Sequence, residues 1–578
     1  MLKRKGKAVL GIVAALATLT AFSTKEYPKK WAKDDPSEPI FSNFTYTGED
    51  AVYRDNPLKR SEFYSPILQG CYPDPSITRK GDDYYLVNSS FAMFPGVPIF
   101  HSKDLVNWTQ LGHVLDRESQ LKVQTTGISA GIYAPDIVYN PHNDMFYMIT
   151  TQIASGIGNM VVKTKDPKEG KWSDPIKLDF DGIDPSLFFD DNGKAYVLHN
   201  DAPDKGRQRY EGHRVIKLWE YDSQTDQVVK GTDRIIIDGG VDPAKNPIWI
   251  EGPHLYKKAG KYYLMCAEGG TGSDHSEVIF SSDHITGPYT PAAKNPILSQ
   301  RHLAKNRPNP VEWAGHADLV EGPNGAWYGV FLAVRPNEAK RVNTGRETFI
   351  LPVDWSGEWP VFEGGMEALK PSVKVPAGVE NRTNTEGYFP NGNFTFSDPL
   401  TAGKLDHRWV ALRGPREKFL QITSTGTILK PYAADISEQK PISALFYRQQ
   451  HKNFESTVSL AYVPASESDL AGITCLQSEK YHYVLGITKR GTEDYIVLAR
   501  NENGSSRIVA KEKIKPTGKV KFRVKAVGDS YQFAYALDGH NFRNVGTTVS
   551  GDILSTDLAG GFTGALIGIY STIANKIR

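Results

Sequence analysis

Residues 73–90 read PDPSITRKGDDYYLVNSS, and the order of residue types in this segment indicates the fold class of the chain. It opens on an acidic residue, Asp74, and continues with a short apolar run, a glycine-containing turn and a second run rich in tyrosine. Two β-prone runs separated by such turn residues are typical of a β-hairpin. The stretch therefore predicts two antiparallel strands with a carboxylate at the start of the first.

The same pattern occurs four more times along the chain. The copies are APDIVYNPHNDMFYMITT (134–151), IDPSLFFDDNGKAYVLHN (183–200), IEGPHLYKKAGKYYLMCA (250–267) and GHADLVEGPNGAWYGVFLA (315–333), and their acidic residues are Asp136, Asp184, Glu251 and Asp318. Together with Asp74, these acids follow one another at intervals of 62, 48, 67 and 67 residues. Repeated β-rich units of this length predict a propeller, here with five blades. Because first strands line a propeller's channel, we expect the five carboxylates to meet at one mouth.

Composition excludes several classes of protein. The 578 residues carry 68 Lys plus Arg against 66 Asp plus Glu, a net charge of +2, so a nucleic-acid binder held mainly by phosphate contacts is excluded. Three distant cysteines, Cys71, Cys266 and Cys475, exclude a disulfide scaffold and a cysteine-rich zinc site. No stretch after the N-terminus is apolar enough to span a membrane.

The N-terminus has the composition of an export signal. A basic segment, MLKRKGK (1–7), precedes the apolar run AVLGIVAALATLTAF (8–22), which is short for a bilayer span. We therefore expect a signal peptide over residues 1–23, with an uncleaved membrane anchor as the alternative. The mature protein is expected in the periplasm, or else secreted.

The remaining chain is predicted to form two domains. A polar, irregular N-terminal extension (24–59) precedes the five-bladed propeller (60–365), and a Gly/Pro-rich linker follows at 366–387. Short alternating strands such as ESTVSLAYV (455–463) and KVKFRVKAV (519–527) then predict a β-sandwich over 388–572. The predicted fold class is all-β, without a long amphipathic helix after the signal.

Three of the acids suit the cleavage of a glycosidic bond, which needs one carboxyl group to protonate the leaving oxygen and another to activate water or attack the sugar. Asp74 lies between two prolines that stiffen its loop, and Glu251 has one more methylene with which to reach a leaving group. A third carboxylate, Asp184, can raise the pKa of the acid. The alternative is that Asp-Pro pairs merely start strands, since both are turn residues.

The set of motifs resembles glycoside hydrolase family 43 over residues 60–365. The matching segments are CYPDPSI (71–77), FPGVPIFHSKDLVNW (94–108), APDIVY (134–139), GIDPSLFFDDNGKAYV (182–197), WIEGPHLYKKAGKYYL (249–264), AEGGTG (267–272), GHADLVEGPNGAWYGVFLA (315–333) and GRETFILPVDW (345–355). The resemblance implies a five-bladed propeller that acts by inversion, with its base and acid roughly 6.5–9.5 Å apart to admit a water.

The resemblance also implies roles for individual residues. Asp74 matches the general base, Glu251 the general acid, and Asp184 the residue that tunes and orients the acid. Arg346 matches an arginine that reaches the sugar, and His316 a histidine near the channel centre that helps to hold a metal ion or waters in some relatives. A structural calcium ion at the propeller centre is therefore an expectation, with His316 as a candidate ligand, and no cofactor is expected for the chemistry.

Aromatic residues beside the motifs are candidate pocket walls, because sugar faces stack on rings. Phe94, Tyr133 and Trp249 are the candidates, with propeller core packing as the alternative for each. Tyr133 stands where many relatives have tryptophan, which blurs the substrate assignment. The segment 388–572 also resembles the accessory domain of two-domain relatives, which implies that it packs on the propeller and lends a loop that closes the pocket.

These observations predict an exported, exo-acting, inverting glycosidase whose partner is a plant cell-wall oligosaccharide or polysaccharide. The preferred activity is removal of terminal α-L-arabinofuranosyl residues from hemicellulose side chains on xyloglucan or arabinoxylan. The alternative is a β-D-xylosidase acting on xylo-oligosaccharides. A sugar-binding propeller without catalysis stays open, although an intact trio of carboxylates is more than a lectin needs.

Overall fold

A computed structural model of the protein describes residues 38–154, 156–401, 403–515 and 518–577. Strands dominate these residues, and their helices are single turns: Ala51–Arg54, Pro167–Glu169, Pro243–Lys245, Pro323–Gly325, Arg416–Lys418, Asp552–Leu554 and Thr556–Ala559. The all-β prediction is confirmed. The expected signal peptide (1–23) and the first part of the expected extension lie outside the described residues. None of the described helices has both the length and the apolar character needed to cross a membrane.

Five antiparallel sheets follow one another between residues 76 and 362. Sheet 1 comprises Ser76–Lys80, Asp83–Val87, Gly96–Ser102 and Thr109–Leu115; sheet 2 comprises Ile132–Asn140, Met145–Gln152, Gly158–Thr164 and Ile176–Lys177. Sheet 3 comprises Ile183–Phe189, Ala195–Asp201, Val215–Asp222, Gln227–Val228 and Arg234–Asp238. Sheet 4 comprises Glu251–Lys258, Lys261–Glu268, Ser276–Ser282, Thr290–Pro291 and Leu298–Ser299, and sheet 5 comprises Glu312–Glu321, Trp327–Val334, Glu347–Asp354 and Val361–Phe362.

The first strands of the five sheets form a ring. Each lies against the first strand of the next sheet, and the first strand of sheet 5 lies against that of sheet 1. Two of the five repeated acids connect strands of this ring: Asp136 Oδ1 and Asp318 Oδ2 each lie 2.9 Å from Ser76 Oγ, whose single proton can be donated to either. Because closing a ring of sheets leaves only short exposed edges, this part of the chain has the architecture of a β-propeller.

The C-terminal residues form two larger sheets with a shared core. The nine-stranded sheet contains Ile40–Gly48, Phe394–Asp398, Leu420–Ile422, Thr427–Leu429, Asn453–Ala461, Lys519–Val527, Ser530–Ala536, Arg543–Asn544 and Val549–Ser550. The six-stranded sheet contains Ser443–Arg448, Leu470–Ser478, Tyr481–Arg490, Glu493–Glu502, Ser505–Ile514 and Leu566–Thr572. One buried cluster draws side chains from both sheets, as in a β-sandwich.

The prediction of an irregular segment up to residue 59 is wrong for Ile40–Gly48, which forms a strand inside the nine-stranded sheet. Phe41, Phe44 and Tyr46 of this strand are buried in the sandwich core. Phe41 and Phe44 are three residues apart, so they break the period of two that identifies a strand in sequence. A bulge at Asn43, whose φ is 54°, absorbs the extra residue and turns both rings to the same face.

Short strands and buried charges join the propeller to the sandwich. Glu62–Tyr64 pairs with Ser372–Lys374, which lies inside the expected linker, and Met93–Phe94 pairs with Ala411–Leu412. The Arg448 guanidinium, which is fully buried, donates from Nε to the Cys71 carbonyl at 2.9 Å, three residues before Asp74. The sandwich is therefore bonded to the loop that carries one of the candidate carboxylates.

Candidate active site

The starts of the inner strands share a distorted backbone that directs side chains toward the ring's interior. Asp74, Ala134, Asp184, Trp249 and His316 all have a positive φ, between 29° and 57°. In sheets 2 to 5 the pairing of the first two strands also shifts register at this point. A β-bulge re-aims side chains and is frequent beside active sites. The distortion therefore places one residue of each sheet at a common mouth.

A cavity of about 360 Å³ opens where these residues meet. Its walls are Asp74, Phe91, Tyr133, Ala134, Ile183, Asp184, Ile248, Trp249, Glu251, Gly270, Thr271, His316, Arg346 and Phe562. The volume lies in the usual range for small-molecule sites. The structure thus brings together Asp74, Asp184 and Glu251, which are separated by as many as 177 residues in the chain.

The prediction that all five repeated acids meet at this mouth is wrong for Asp136 and Asp318. Ala134 and His316 take the mouth positions in their sheets, and each acid lies two residues further along its strand. There Asp136 Oδ2 accepts from the Leu187 N–H and Asp318 Oδ2 from the Ile77 N–H, both at 2.8 Å. These two carboxylates therefore connect neighbouring inner strands.

Asp74 is buried beside a cation. Arg346 donates from Nη1 to Asp74 Oδ1 at 2.7 Å, and both side chains are less than 10% exposed. Burial acts to raise the pKa of Asp74, but the Arg346 guanidinium, assisted by a hydrogen bond from Ser89, lowers it further than burial raises it. The net pKa lies below the ordinary value, which keeps Asp74 an anion in neutral solution.

The pKa of Glu251, in the same cavity, is shifted in the opposite direction to that of Asp74. Burial, followed by the negative charges of Asp184 and Asp74, raises its pKa well above the ordinary value. The contact that Thr271 Oγ1 makes with Glu251 Oε1 is long, at 3.5 Å. The Arg346 charge and a hydrogen bond with Trp249 act to lower this pKa but do not offset the other influences, so the protonated form of Glu251 is favoured.

The pKa of Asp184 lies between those of Asp74 and Glu251. Burial and the charge of Asp74 raise its pKa, whereas hydrogen bonds from Asn200 and from the Gly252 backbone act to lower it. Asn200 Nδ2 donates to Asp184 Oδ2 at 3.3 Å. Asp184 and Glu251 each disfavour ionisation of the other, so protonation of one favours loss of the proton from the other.

His316 packs on the backbone of the strand that carries Glu251. A Cβ at Gly252, where φ is +55°, would lie 2.8 Å from His316 Nε2, which explains the glycine at this position. His316 Nδ1 lies 4.0 Å from Asp74 Oδ1. Burial lowers the pKa of His316 to about 3, so the ring is neutral.

The side chains around His316, the candidate calcium ligand, can be compared with what a cation site needs. Asp74 is the nearby carboxylate and is already bonded to Arg346. Among the described residues, the group with metal-ligand geometry is Asp136, His254 and Asp318, whose donor atoms lie within 4.8 Å of one another. Protein donors already bond both carboxylates of this group: Ser76 Oγ lies 2.9 Å from Asp136 Oδ1, and Tyr256 Oη donates to Asp318 Oδ1 at 2.7 Å. Calcium binding stays a prediction.

Of the three predicted aromatic walls, Tyr133 and Trp249 line the cavity and Phe94 does not. Phe94 is 1% exposed and packs in the core between sheets 1 and 2. The wall is Phe91, three residues earlier, whose φ of 51° turns it toward Tyr133 at a ring separation of 5.9 Å. The segment FAMF (91–94) contains two phenylalanines, and the sequence pattern does not indicate which of them lines the cavity and which packs in the core.

The remaining wall comes from the sandwich. Phe562 follows two glycines with positive φ, Gly560 and Gly561, and its ring lies 5.7 Å from that of Tyr133. Its N–H donates to Ser129 Oγ at 3.0 Å, and its carbonyl accepts a 3.5 Å contact from Arg346 Nη2. The sequence predicts a loop that closes the pocket but does not identify its residues. The sequence Gly-Gly-Phe, which is typical of a tight turn that presents an aromatic ring, could have identified Phe562 as a candidate.

Comparisons with known proteins agree with this site. Residues 63–360 match the model of Glycosyl hydrolases family 43, and residues 397–577 match the Beta xylosidase C-terminal Concanavalin A-like domain. The chain is 38% identical to a xylosidase/arabinosidase of Butyrivibrio fibrisolvens, over 89% of this chain and 96% of that protein. It is 34% identical to a non-reducing end alpha-L-arabinofuranosidase of Bacteroides ovatus, over 89% of this chain and 92% of that protein.

A solved structure extends the similarity to three dimensions. The crystal structure of a GH43_12 protein retrieved from capybara gut metagenome superposes with a TM-score of 0.89 at 56% identity, covering 93% of this chain and 100% of that chain. Matched domain models, full-length relatives and a shared fold lead to one conclusion. The protein is a glycoside hydrolase and belongs to family 43.

Proposed function

We propose that the protein is an exo-acting, inverting glycosidase in which Asp74 is the general base and Glu251 the general acid. The observation that carries the proposal is the opposite displacement of their pKa values within one cavity: Asp74 is held as an anion by Arg346, and Glu251 is held neutral by burial and by Asp184. Two carboxyl groups with divided protonation states are what inversion requires.

The proposed mechanism assigns each group to one step. The ionised Asp74 takes a proton from a water molecule, which attacks the anomeric carbon. The neutral Glu251 gives its proton to the leaving oxygen on the opposite face of the sugar. Arg346 Nε is buried and has no protein partner among the described residues, so it has a donor available for a sugar hydroxyl.

Closure of the cavity supports action at chain ends. Phe562 reaches in from the sandwich beside Phe91 and Tyr133, so the wall is made jointly by both domains. A wall of this kind obstructs passage of a polysaccharide through the site and favours binding of a terminal residue. We also propose that the five sheets are the blades of a five-bladed propeller, since their first strands form one closed ring.

The proposed substrate is a terminal α-L-arabinofuranosyl residue on a hemicellulose side chain of xyloglucan or arabinoxylan. The relative from Bacteroides ovatus is named for that activity, and a structure titled Bacteroides ovatus Xyloglucan PUL GH43B superposes with a TM-score of 0.77. β-D-Xylosidase activity is the second candidate, because the relative from Butyrivibrio fibrisolvens is named for both sugars.

Export is proposed from the sequence of residues 1–23, with the periplasm as the destination and secretion as the alternative. The basic segment and the apolar run of a signal peptide support it. Expression of the full chain in a Gram-negative host, followed by fractionation and N-terminal sequencing, tests it. A mature N-terminus near residue 24 in the periplasmic fraction is expected, and an uncleaved chain in the membrane fraction would contradict it.

Paired turnover measurements test the function. Wild-type protein is assayed with 4-nitrophenyl α-L-arabinofuranoside and 4-nitrophenyl β-D-xylopyranoside, with Glu251→Ala as the control for contaminating activity. Preference for the arabinoside is expected, and preference for the xyloside would establish the second candidate. Sugar binding without turnover of either glycoside, or of arabinoxylan and xyloglucan oligosaccharides, would indicate a propeller that only binds.

A further inference from the structure

Arg214 precedes the third strand of sheet 3 and contacts two elements of the site without lining the cavity. Its Nε donates to Asn200 Oδ1 at 2.7 Å, and its Nη2 donates to the same oxygen. Its guanidinium carbon lies 4.8 Å from the ring centroid of Trp249, which is a wall of the cavity two residues before Glu251. Arg214 thus bridges the side chain that bonds Asp184 and the segment that carries Glu251.

The two hydrogen bonds from Arg214 settle how the Asn200 amide is turned. Arginine carries donors only, so the atom of Asn200 that faces it must be the oxygen. The amide nitrogen then faces Asp184, to whose Oδ2 it donates at 3.3 Å. Asn200 is fully buried, so water does not compete for its amide. Without Arg214, the amide can rotate and present its oxygen to Asp184 instead.

The orientation of the Asn200 amide influences which carboxyl group, that of Asp184 or that of Glu251, holds the proton that the two share. An N–H directed at Asp184 stabilises its carboxylate, whereas an amide oxygen there stabilises its protonated form. Asp184 and Glu251 oppose each other's ionisation, so a proton taken up by Asp184 is withdrawn from Glu251. Only a proton on Glu251 can pass to the leaving oxygen in the proposed mechanism.

We propose that Arg214 is a positioning residue that, through Asn200, keeps the proton of the Asp184–Glu251 pair on Glu251. The inference rests on the proposed function, because it presupposes Glu251 as the acid. It adds a side chain that stands outside the cavity and that the repeated motifs do not contain.

The sign of the expected pH effect follows from the charges around the pair. The charged groups that act on the pair include Asp74, Arg346 and Arg214. The Arg214 charge lowers the pKa of Asp184, so its removal raises the pKa at which the pair loses its shared proton. The alkaline limb of the rate profile then moves to higher pH. At the same time the rate falls, because more of the bound proton resides on Asp184.

The experiment compares Arg214→Met with Arg214→Lys, which keeps the charge but lacks the planar fork. Arg234→Met, an exposed arginine of the same sheet, is the matched control for loss of one positive charge. The substrates are the 4-nitrophenyl glycoside that the wild type cleaves and the methyl glycoside of the same sugar. A nitrophenolate leaves without protonation, whereas methanol needs the acid.

For Arg214→Met we expect kcat on the methyl glycoside to fall by about 10- to 100-fold, a part of the full effect of a general acid. We expect kcat on the nitrophenyl glycoside to change by less than about threefold, KM to hold within about twofold, and the alkaline limb to rise. Arg214→Lys should lie between the wild type and Arg214→Met, and Arg234→Met should match the wild type.

Equal losses on the two substrates, or a change in KM alone, would overturn the inference, because either result means a substrate-binding or purely structural role. Asn200→Asp keeps the size of the side chain and removes the amide donor. It should reproduce the loss that is specific to the methyl glycoside, and it serves if Arg214→Met does not fold by circular dichroism. A wild type inactive on both glycosides would refute the proposed function instead, so the two failures are distinguishable.

Discussion

Arg346 and Asp74 are 272 residues apart in the chain, yet Arg346 Nη1 lies 2.7 Å from Asp74 Oδ1 inside the cavity. Asp74 precedes the first strand of sheet 1 and Arg346 precedes the third strand of sheet 5, so closure of the ring creates the pair. Both side chains are buried, and a buried opposite charge is the main influence that offsets desolvation of a carboxylate.

Removal of the Arg346 charge should shift the acid limb of the pH–rate profile. In Arg346→Gln the pKa of Asp74 is no longer held down, so the base becomes ionised only at higher pH, and we expect the limb in kcat/KM to rise by about one pH unit or more. Arg346→Lys keeps the charge and should leave the limb near its wild-type position, although KM rises. An unchanged limb in Arg346→Gln would mean that Asp74 does not set it.

Glu251→Ala should lose activity according to the leaving group. On an unactivated glycoside the loss should be about 10²- to 10⁴-fold, the usual contribution of general acid catalysis. On a 4-nitrophenyl glycoside it should be much smaller, since nitrophenolate needs no proton. Equal losses on both substrates would argue against Glu251 as the acid. The Arg234→Met variant serves as the control, because that side chain is exposed and is not among the residues that line the cavity.

Asp74→Asn should behave differently from the acid variant. Activation of water is required whatever group leaves, so we expect losses of about 10²- to 10⁴-fold on both kinds of substrate. Inversion further predicts that the sugar released first has the opposite anomeric configuration to the substrate. Early ¹H NMR spectra of the wild-type reaction check this, and a retained anomer would show that Asp74 is not acting as the base of an inverting enzyme.

Phe562→Ala should weaken substrate binding while leaving the chemistry in place. The ring forms a wall of the cavity, whereas the backbone groups that bond Ser129 and Arg346 are unaffected by the substitution. We expect KM to rise by about 3- to 10-fold, which corresponds to about 0.6–1.4 kcal/mol of lost contact. The control is Phe542→Ala, a partly buried phenylalanine of the sandwich that packs on Arg523. A fall in kcat without a change in KM would contradict this interpretation.

Phe44→Ala should destabilise the protein although residue 44 precedes both predicted domains. Its ring is fully buried and lies 4.7 Å from the ring of Trp409 in the sandwich core. Loss of a buried phenylalanine costs about 3–5 kcal/mol. Urea denaturation with fluorescence detection measures the change in the free energy of unfolding. A change below 1 kcal/mol would show that Ile40–Gly48 is not part of the cooperative core.

The periodic part of the fold was predictable from sequence because each hairpin carries its own local information. The acid, the apolar run, the turn glycine and the aromatic run identify a hairpin without reference to the rest of the chain, and five copies identify an array. The strand Ile40–Gly48 was not predictable in this way. The bulge at Asn43 hides its alternation, and its partner strands begin more than 340 residues later.

The propeller array, the trio of Asp74, Asp184 and Glu251, and the resemblance to a glycoside hydrolase family could all be predicted from the amino-acid sequence. Tertiary structure alone decided which residues share the cavity, since that depends on where the ring closes and on bulges of one residue. In the structure Asp136 and Asp318 lie away from the mouth of the cavity. Phe91 rather than Phe94 lines the cavity, and Phe562 of the sandwich forms part of its wall. Tertiary structure also divided the protonation states, because a carboxyl group's pKa depends on burial and on neighbouring charges that are distant in the chain.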